Sequence, residues 1–199
     1  AKTTIKGVGL HTGKTIRMDL IPAEAGEGIV FVRSDIRKGD NVIPALWDHV
    51  IDTQLCTVIG NDNGAQVGTI EHLMSALRGC GIDNLRIEID GPEVPILDGS
   101  AMPFVERFDE VGTLEQDAPR RSIRVLKEVS VEHDGKRVTL MPSEESEFSG
   151  EINFDHDDIG RQTFSMRLIN GNFKHDIAQA RTFGFLHEVE YMRSRGLAL

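Results

Sequence analysis

Glu71 and His72 are neighbours at the start of a short apolar-striped segment. A carboxylate can take a proton from water and an imidazole can ligate a metal. The pair therefore holds the smallest set of groups for metal-assisted hydrolysis. If the segment is a helix, adjacent side chains diverge by about 100°, so one can hold a metal while the other addresses its water. The positive end of the helix dipole there favours a carboxylate and disfavours a protonated imidazole, which suits a neutral, metal-binding histidine. The same dipeptide also fits an ordinary exposed helix start. A catalytic zinc takes about three protein ligands and a water, and the pair supplies one.

Other groups divide between chemistry and surface. Asp155-His156-Asp157-Asp158 offers oxygens and one nitrogen to a divalent cation, or forms a solvated loop. Lys174-His175-Asp176 reads as a ligand pair or as the exposed start of a helical turn. His11, in a glycine-rich turn, faces either a cleft or solvent, while His49, His133 and His187 sit in surface-like contexts. In Ala180-Arg181-Thr182-Phe183-Gly184-Phe185 a hydroxyl stands beside two aromatics, and the glycine permits close backbone approach. Thr182 could polarise a carbonyl oxygen in an apolar pocket, or be an incidental polar residue at the end of a core strand. Gly7-Val8-Gly9 belongs to neither a G-x-x-x-x-G-K-[ST] loop nor a G-x-G-x-x-G helix opening. No G-x-S-x-G elbow occurs either.

The elements that must position these groups follow from periodicity. Lys2–Lys6 and Thr15–Leu20 alternate as strands, the second closing at Pro22, with a turn across Gly7–Gly13. Gly28–Val32 reads as a buried strand and Leu55–Gly60 as another, followed by a turn at Asn61–Gly64. Then the period changes. Ile70, Leu73, Met74 and Leu77 fall at i, i+3, i+4 and i+7, the stripe of an amphipathic helix. Thr69 is its expected N-cap and Gly79 or Gly81 its expected stop. Leu85–Asp90 alternates again. A second helix follows Ser100, with Phe104, Phe108 and Val111 on one face and Gly112 at its end.

The polar stretch 114–121, with Pro119, is the expected linker between a domain over 1–116 and another over 121–199. Beyond it, Ile123–Val125 and Val129–Val131 read as strands. Gly135–Pro142 is similar to Gly13–Pro22, and each is followed by a Glu-containing turn and a strand, at 28–31 and 151–154. This is a weak internal duplication, with a chance match between hairpins as the alternative. The first copy carries two helices. The second shows one helix-like stretch, Leu186–Arg195, ended by Gly196, and no counterpart of the Glu71-His72 helix. Leu197-Ala198-Leu199 reads as the start of another element, so a fragment is expected.

Composition narrows the class. A length of 199 residues suits one large domain or two small ones. The net charge of −10 argues against a nucleic-acid partner, whose phosphates demand a basic face. It leaves room for a small anionic ligand held by a few local Lys or Arg residues. No apolar run approaches the ~18 residues of a membrane span. Cys56 and Cys80, with no C-x-x-C, fit a reducing cytoplasm better than a disulfide scaffold or zinc ribbon.

Several strings occur in one order: Gly7-Val8-Gly9-Leu10-His11-Thr12-Gly13-Lys14, Thr69-Ile70-Glu71-His72-Leu73, Gly81-Ile82-Asp83-Asn84, Pro95-Ile96-Leu97-Asp98-Gly99-Ser100-Ala101, Ala180-Arg181-Thr182-Phe183-Gly184-Phe185 and Ser194-Arg195-Gly196-Leu197. Through them the chain resembles, over essentially its whole length, the UDP-3-O-acyl-N-acetylglucosamine deacetylases, zinc amidases of lipid A biosynthesis. The resemblance implies an α+β fold of two similar domains, each a sheet layered with helices, the helical layers facing each other across the active site. It implies zinc-dependent hydrolysis of the acetamide of a UDP-sugar lipid precursor, releasing acetate, in the cytoplasm. Glu71 matches the general base, His72 the first zinc ligand and Thr182 the hydroxyl that steadies the oxyanion. Leu186, Val189 and Ala198 match positions lining the passage for the acyl chain. Leu55 and Cys56 match backbone near the metal, and Phe183 falls among the substrate-binding positions.

The family's other zinc ligands lie in a His-Lys-x-x-x-Asp stretch, with a general-acid histidine further on, and no such string occurs here. The expectation is a second domain that is incomplete, the other ligands beyond Leu199, and a chain inactive alone. The rival expectation is a non-catalytic fragment or binding protein with the same fold and no metal. Glu71 and Thr182 together argue against it.

Overall fold

Alternation across Thr15–Pro22 puts Ile16, Met18 and Leu20 on one face, and all three are buried while Thr15 and Arg17 face solvent. The same period buries Leu85, Ile87 and Ile89. A strand with one apolar face needs a covering layer, and two amphipathic helices supply it. The computed structural model describes residues 1–169 and 171–198. In chain order it has β1 (Thr3–Val8), β2 (Thr15–Pro22), β3 (Ile29–Arg33), β4 (Val42–Pro44), β5 (Val50–Asp52), β6 (Val58–Gly60), β7 (Gln66–Val67), α1 (Glu71–Gly79), β8 (Leu85–Ile89) and α2 (Met102–Val111). Then come β9 (Val129–His133), β10 (Lys136–Leu140), β11 (Glu147–Asn153), β12 (Arg161–Arg167), α3 (Phe173–Asp176) and α4 (Leu186–Ser194). The fold is α+β.

The main sheet runs β1-β2-β8-β3-β4, with β3 and β8 parallel and the other neighbours antiparallel. Met18 stands opposite Ile89 and Leu20 opposite Ile87. Leu73, Ala76 and Leu77 of α1 and Phe104, Val105 and Phe108 of α2 share one core with these strands. Burying each large apolar side chain is worth roughly 1.5–3 kcal/mol, so this layer holds α1 firmly on the sheet. A small sheet, β5-β6-β7, flanks it. The second helix ends as its sequence suggests: Gly112 takes φ 70° and its N–H bonds Phe108 O.

Two expected strands differ. Leu55–Gly60 shortens to Val58–Gly60, because Leu55 takes φ 69°, which a strand cannot accommodate. Ile123–Val125 forms no strand; Ile123 is 95% exposed, and no strand among the described residues pairs with it. The expected element at Leu197–Leu199 falls partly outside the described residues, at Leu199.

Residues beyond 128 form two separate antiparallel hairpins, β9–β10 and β11–β12. The first half contains hairpin-like pairs in the same order, β1–β2 and β3–β4, and there β8 lies between β2 and β3 and joins them. Among the described residues no strand joins β10 to β11. Val131, Val138, Phe148 and Phe164 on these hairpins are exposed. Contact with the first half includes α3, where buried Phe173 packs on Gly79 of α1 and Lys174 pairs with Asp109 of α2. It also includes Met166 and Leu168, which pack against the core, an Arg78–Ser146 bond and the Thr182 N–H to Gly99 O. Among the described residues no helix is long and apolar enough to cross a membrane.

Candidate active site

Glu71 and His72 are the first two residues of α1, and both are half-buried. Ile70 stands at the N-cap position, and no side chain among the described residues caps the helix. Thr69, the expected cap, takes φ 54° and spends its hydroxyl elsewhere, donating to Glu93 Oε1 at 3.0 Å. One Glu71 oxygen, Oε2, accepts the Thr57 N–H at 3.1 Å. That bond brings the segment before β6 alongside the start of α1. Leu55 is exposed, and half-buried Cys56 places its Sγ 3.6 Å from where a Cβ on Gly68 would stand. Leu55, Cys56, Glu71 and His72 are thus gathered around one corner of the fold.

A second loop borders this corner. Val94 N–H bonds Gly68 O at 3.0 Å, and Ile96 N–H bonds Val8 O at 3.0 Å, so the 95–101 loop lies against the end of β1. Leu97 and Gly99 both take positive φ there, 53° and 83°. Asp98 Oδ1 accepts the Ser100 amide at 2.9 Å and the Ser100 hydroxyl at 2.8 Å. Burial pushes the Asp98 carboxyl up. The Ser100 bonds and the nearby Arg181 charge outweigh it and hold the carboxyl below its ordinary range. Ser100 Oγ in turn accepts the Met102 N–H at 3.1 Å, which opens α2.

Thr182 is tied to this loop, its N–H donating to Gly99 O at 2.9 Å. The residue is exposed. Phe183 belongs to an aromatic cluster, 5.5 Å from Phe154 and 5.9 Å from Phe185 between ring centroids. His156 and His187 lie against Phe185 at 5.5 and 5.7 Å. His156 Nδ1 also accepts the Asp158 N–H at 3.2 Å, as a turn residue does. Along α4, Leu186 is exposed, Val189 half-buried against Gly184, and Ala198 buried beyond the helix end.

Sequence patterns gave no sign of Glu93. It is buried, and its carboxylate joins the 9–13 turn to Thr69. Burial pushes its pKa up, but bonds from the His11 and Thr12 amides and the Thr12 and Thr69 hydroxyls prevail and hold it low. The available signal was an acid between Pro92 and Val94-Pro95, where nothing else is polar. Both ring nitrogens of His11 are buried without a partner among the described residues.

Among the described residues no three His, Cys, Asp or Glu side chains converge as a metal site. His72 therefore belongs to no three-ligand set there, and a zinc ion does not fit on these residues alone. An apolar groove of about 690 Å³ lies between the C-terminal half of α1 and the β11–β12 hairpin, lined by Gly79, Phe148, Phe164 and Phe173 among others. Neither Glu71 nor His72 lines it.

A family model described as UDP-3-O-acyl N-acetylglycosamine deacetylase matches residues 1–199. The UDP-3-O-acyl-N-acetylglucosamine deacetylase of Syntrophotalea carbinolica is 50% identical over 196 residues, covering 98% of this chain and 63% of the relative. The protein of the same name from Myxococcus xanthus is 47% identical over 195 residues, 98% of this chain and 62% of the relative. That from Phenylobacterium zucineum is 48% identical over 198 residues, 100% of this chain and 68% of the relative. The chain thus spans a little under two thirds of the length of the first two.

Proposed function

The chain belongs to the UDP-3-O-acyl N-acetylglycosamine deacetylase family, and from that premise we propose that it serves the hydrolysis of the acetamide of UDP-3-O-acyl-N-acetylglucosamine, with release of acetate. Glu71 is the general base and takes a proton from the attacking water. Thr57 engages one of its oxygens, which leaves the other for that water. As the carbonyl carbon becomes tetrahedral, the Thr182 hydroxyl donates to the oxyanion. The C–N bond then breaks, the amine nitrogen takes the proton that Glu71 removed from the water, and acetate leaves. His72 would be one ligand of a zinc whose other ligands would come from outside these 199 residues; bound there, the metal would lower the pKa of water toward about 7. Leu186, Val189 and Ala198 line the path of the acyl chain, with Phe183 beside it, and Leu55 and Cys56 border the metal. Residues 1–116 and 121–199 act as two units, the second completed from outside these residues. The setting is the cytoplasm of a Gram-negative bacterium, in lipid A synthesis.

What supports this reading above all is the Glu71–Thr57 bond, which orients a carboxylate beside His72 at the matched motif. A non-catalytic binding protein is the second reading, favoured by the lack of a three-ligand cluster among the described residues. The intact protein, supplied with zinc and UDP-3-O-acyl-N-acetylglucosamine, is expected to release one acetate per amine formed. Glu71→Gln should lower kcat by about 10²–10⁴-fold with little change in substrate affinity. The 199-residue chain alone is expected to release none. Acetate production by that chain with stoichiometric zinc would overturn the external-ligand arrangement. Substrate binding by the intact protein without turnover would favour the second reading.

A further inference from the structure

Glu93 takes no part in the steps above, yet the residue is 3% exposed and both its carboxylate oxygens are bonded. Oε1 accepts the His11 N–H at 2.9 Å and the Thr69 hydroxyl at 3.0 Å. Oε2 accepts the Thr12 N–H at 3.0 Å and the Thr12 hydroxyl at 2.8 Å. Each oxygen thus takes one backbone amide and one hydroxyl. On either side of Glu93 the chain is laced to Gly68: Gly68 N–H bonds Pro92 O at 2.8 Å and Val94 N–H bonds Gly68 O at 3.0 Å. The facing turn leaves room for the carboxylate, since a Cβ on Gly9 would fall onto Glu93 Oε2 and Thr12 Oγ1.

A carboxylate is costly to bury, and only a full set of charge-assisted bonds offsets that cost. Those bonds hold something specific. Thr69 at φ 54° is in the left-handed region, which a β-branched residue adopts only where its surroundings impose it. Glu71 follows two residues later. With no side-chain cap on α1 among the described residues, the direction in which the chain enters the helix depends on Thr69.

We propose that Glu93 is a positioning residue for the candidate reaction: by binding Thr69 to the 9–13 turn it fixes the start of α1 and the aim of Glu71 and His72. Its functional meaning rests on the deacetylase reading; its geometry does not.

The test is Glu93→Gln in the intact protein. The amide keeps the shape but turns an NH2 toward a backbone N–H that cannot rotate away, so that bond is lost, while the threonine hydroxyl beside it can only turn and accept in place of donating. The kcat should fall by about 10- to 100-fold, since small misplacements of reacting groups cost that much. KM should stay within about three-fold, as for an interaction felt only in the transition state. Amide hydrogen exchange across 9–13 and 69–73 should quicken by about ten-fold while β2 and β8 stay unchanged. Thr69→Val keeps the β-branch and removes one hydroxyl. It should move the same readouts less, and it carries the test if Glu93→Gln does not fold. A lower Tm with kcat per folded molecule unchanged overturns the proposal, as does unchanged exchange at 69–73. If the wild-type protein releases no acetate, the deacetylase reading falls, and the exchange data still decide whether Glu93 holds the start of α1.

Discussion

Asp19 stands opposite Thr4 in the β1–β2 ladder and gathers three partners. The Thr4 hydroxyl lies at 2.6 Å, Lys2 Nζ at 3.0 Å and an Arg17 nitrogen at 3.1 Å. Led by the Thr4 bond and helped by the two cations, these partners overcome partial desolvation and hold the carboxyl at about 2. The folded pKa lies below the unfolded value of 3.8, so the bonds add stability above that value, and the gain fades as pH falls toward about 2. The shift corresponds to about 2 kcal/mol at most, and the half-exposed cations reduce it to ~1 kcal/mol. Asp19→Asn should therefore flatten the decline of unfolding free energy between pH 4 and 2 by ~1 kcal/mol, read by urea titration at each pH. Parallel curves for the two proteins would remove Asp19 from the account. What the sequence reveals at this scale depends on distance along the chain. Glu71-His72 was legible because the two residues are adjacent. Glu93 was not, because its partners His11 and Thr12 lie 82 and 81 residues away. Thr69 was misread as a cap because capping depends on its φ, which a distant carboxylate helps to set.

Gly79 shows how an element can be right and its reason different. The sequence offers Gly79 or Gly81 as the helix stop, and α1 ends at Gly79. The left-handed turn falls at Gly81, with φ 68° and the Ile82 N–H bonded to Leu77 O at 2.9 Å. Gly79 is small for another reason, since a Cβ on it would overlap the Phe173 ring. The two effects of Gly79→Ala oppose each other. Helix propensity favours alanine by up to ~1 kcal/mol, while overpacking against a seated ring costs about 1–3 kcal/mol. Net destabilisation is expected in the native background. In a Phe173→Ala background the same change should be neutral or stabilising, and denaturant midpoints for the four proteins measure the difference. A stabilised single variant would mean that α3 does not seat on α1. Strands β2 and β8 were legible because each has one buried and one solvated face, and a two-residue period records that contrast. Ile123–Val125 carries the apolar residues of a strand without the pairing that makes one.

Over the whole molecule, the two halves are held together differently. In the first, β8 bonds to both β2 and β3 and turns two pairs of strands into one sheet with helices on its buried face. In the second, each hairpin among the described residues has two strands and no third to join it to the other, and an isolated two-stranded hairpin is marginal in water. The connection is uneven as well. Gln116 bonds Asn84 and Ala23 O, and Arg120 bonds Asp83 and Gly81 O, so the chain is pinned to the first half as far as residue 120. From 121 to 128 it runs without helix or strand, and Arg124 pairs with the exposed Glu144 at 3.4 Å. A protease needs exposed backbone that can extend into its cleft. Trypsin should therefore cut first after Arg121, Arg124 or Lys127, ahead of the equally basic but pinned Arg120. The product beginning at Ala1 should keep the β1-β2-β8-β3-β4 sheet with α1 and α2, and it should unfold in one cooperative transition. Mass spectrometry of the first product and its circular dichroism on heating measure both. Initial cuts within β1 to α2 would show that residues 1–116 do not stand as a unit. A first product ending at 121–127 would assign Glu71 and His72 to a unit that folds without the hairpins, and would leave Thr182 to reach the site from the other side of the cut.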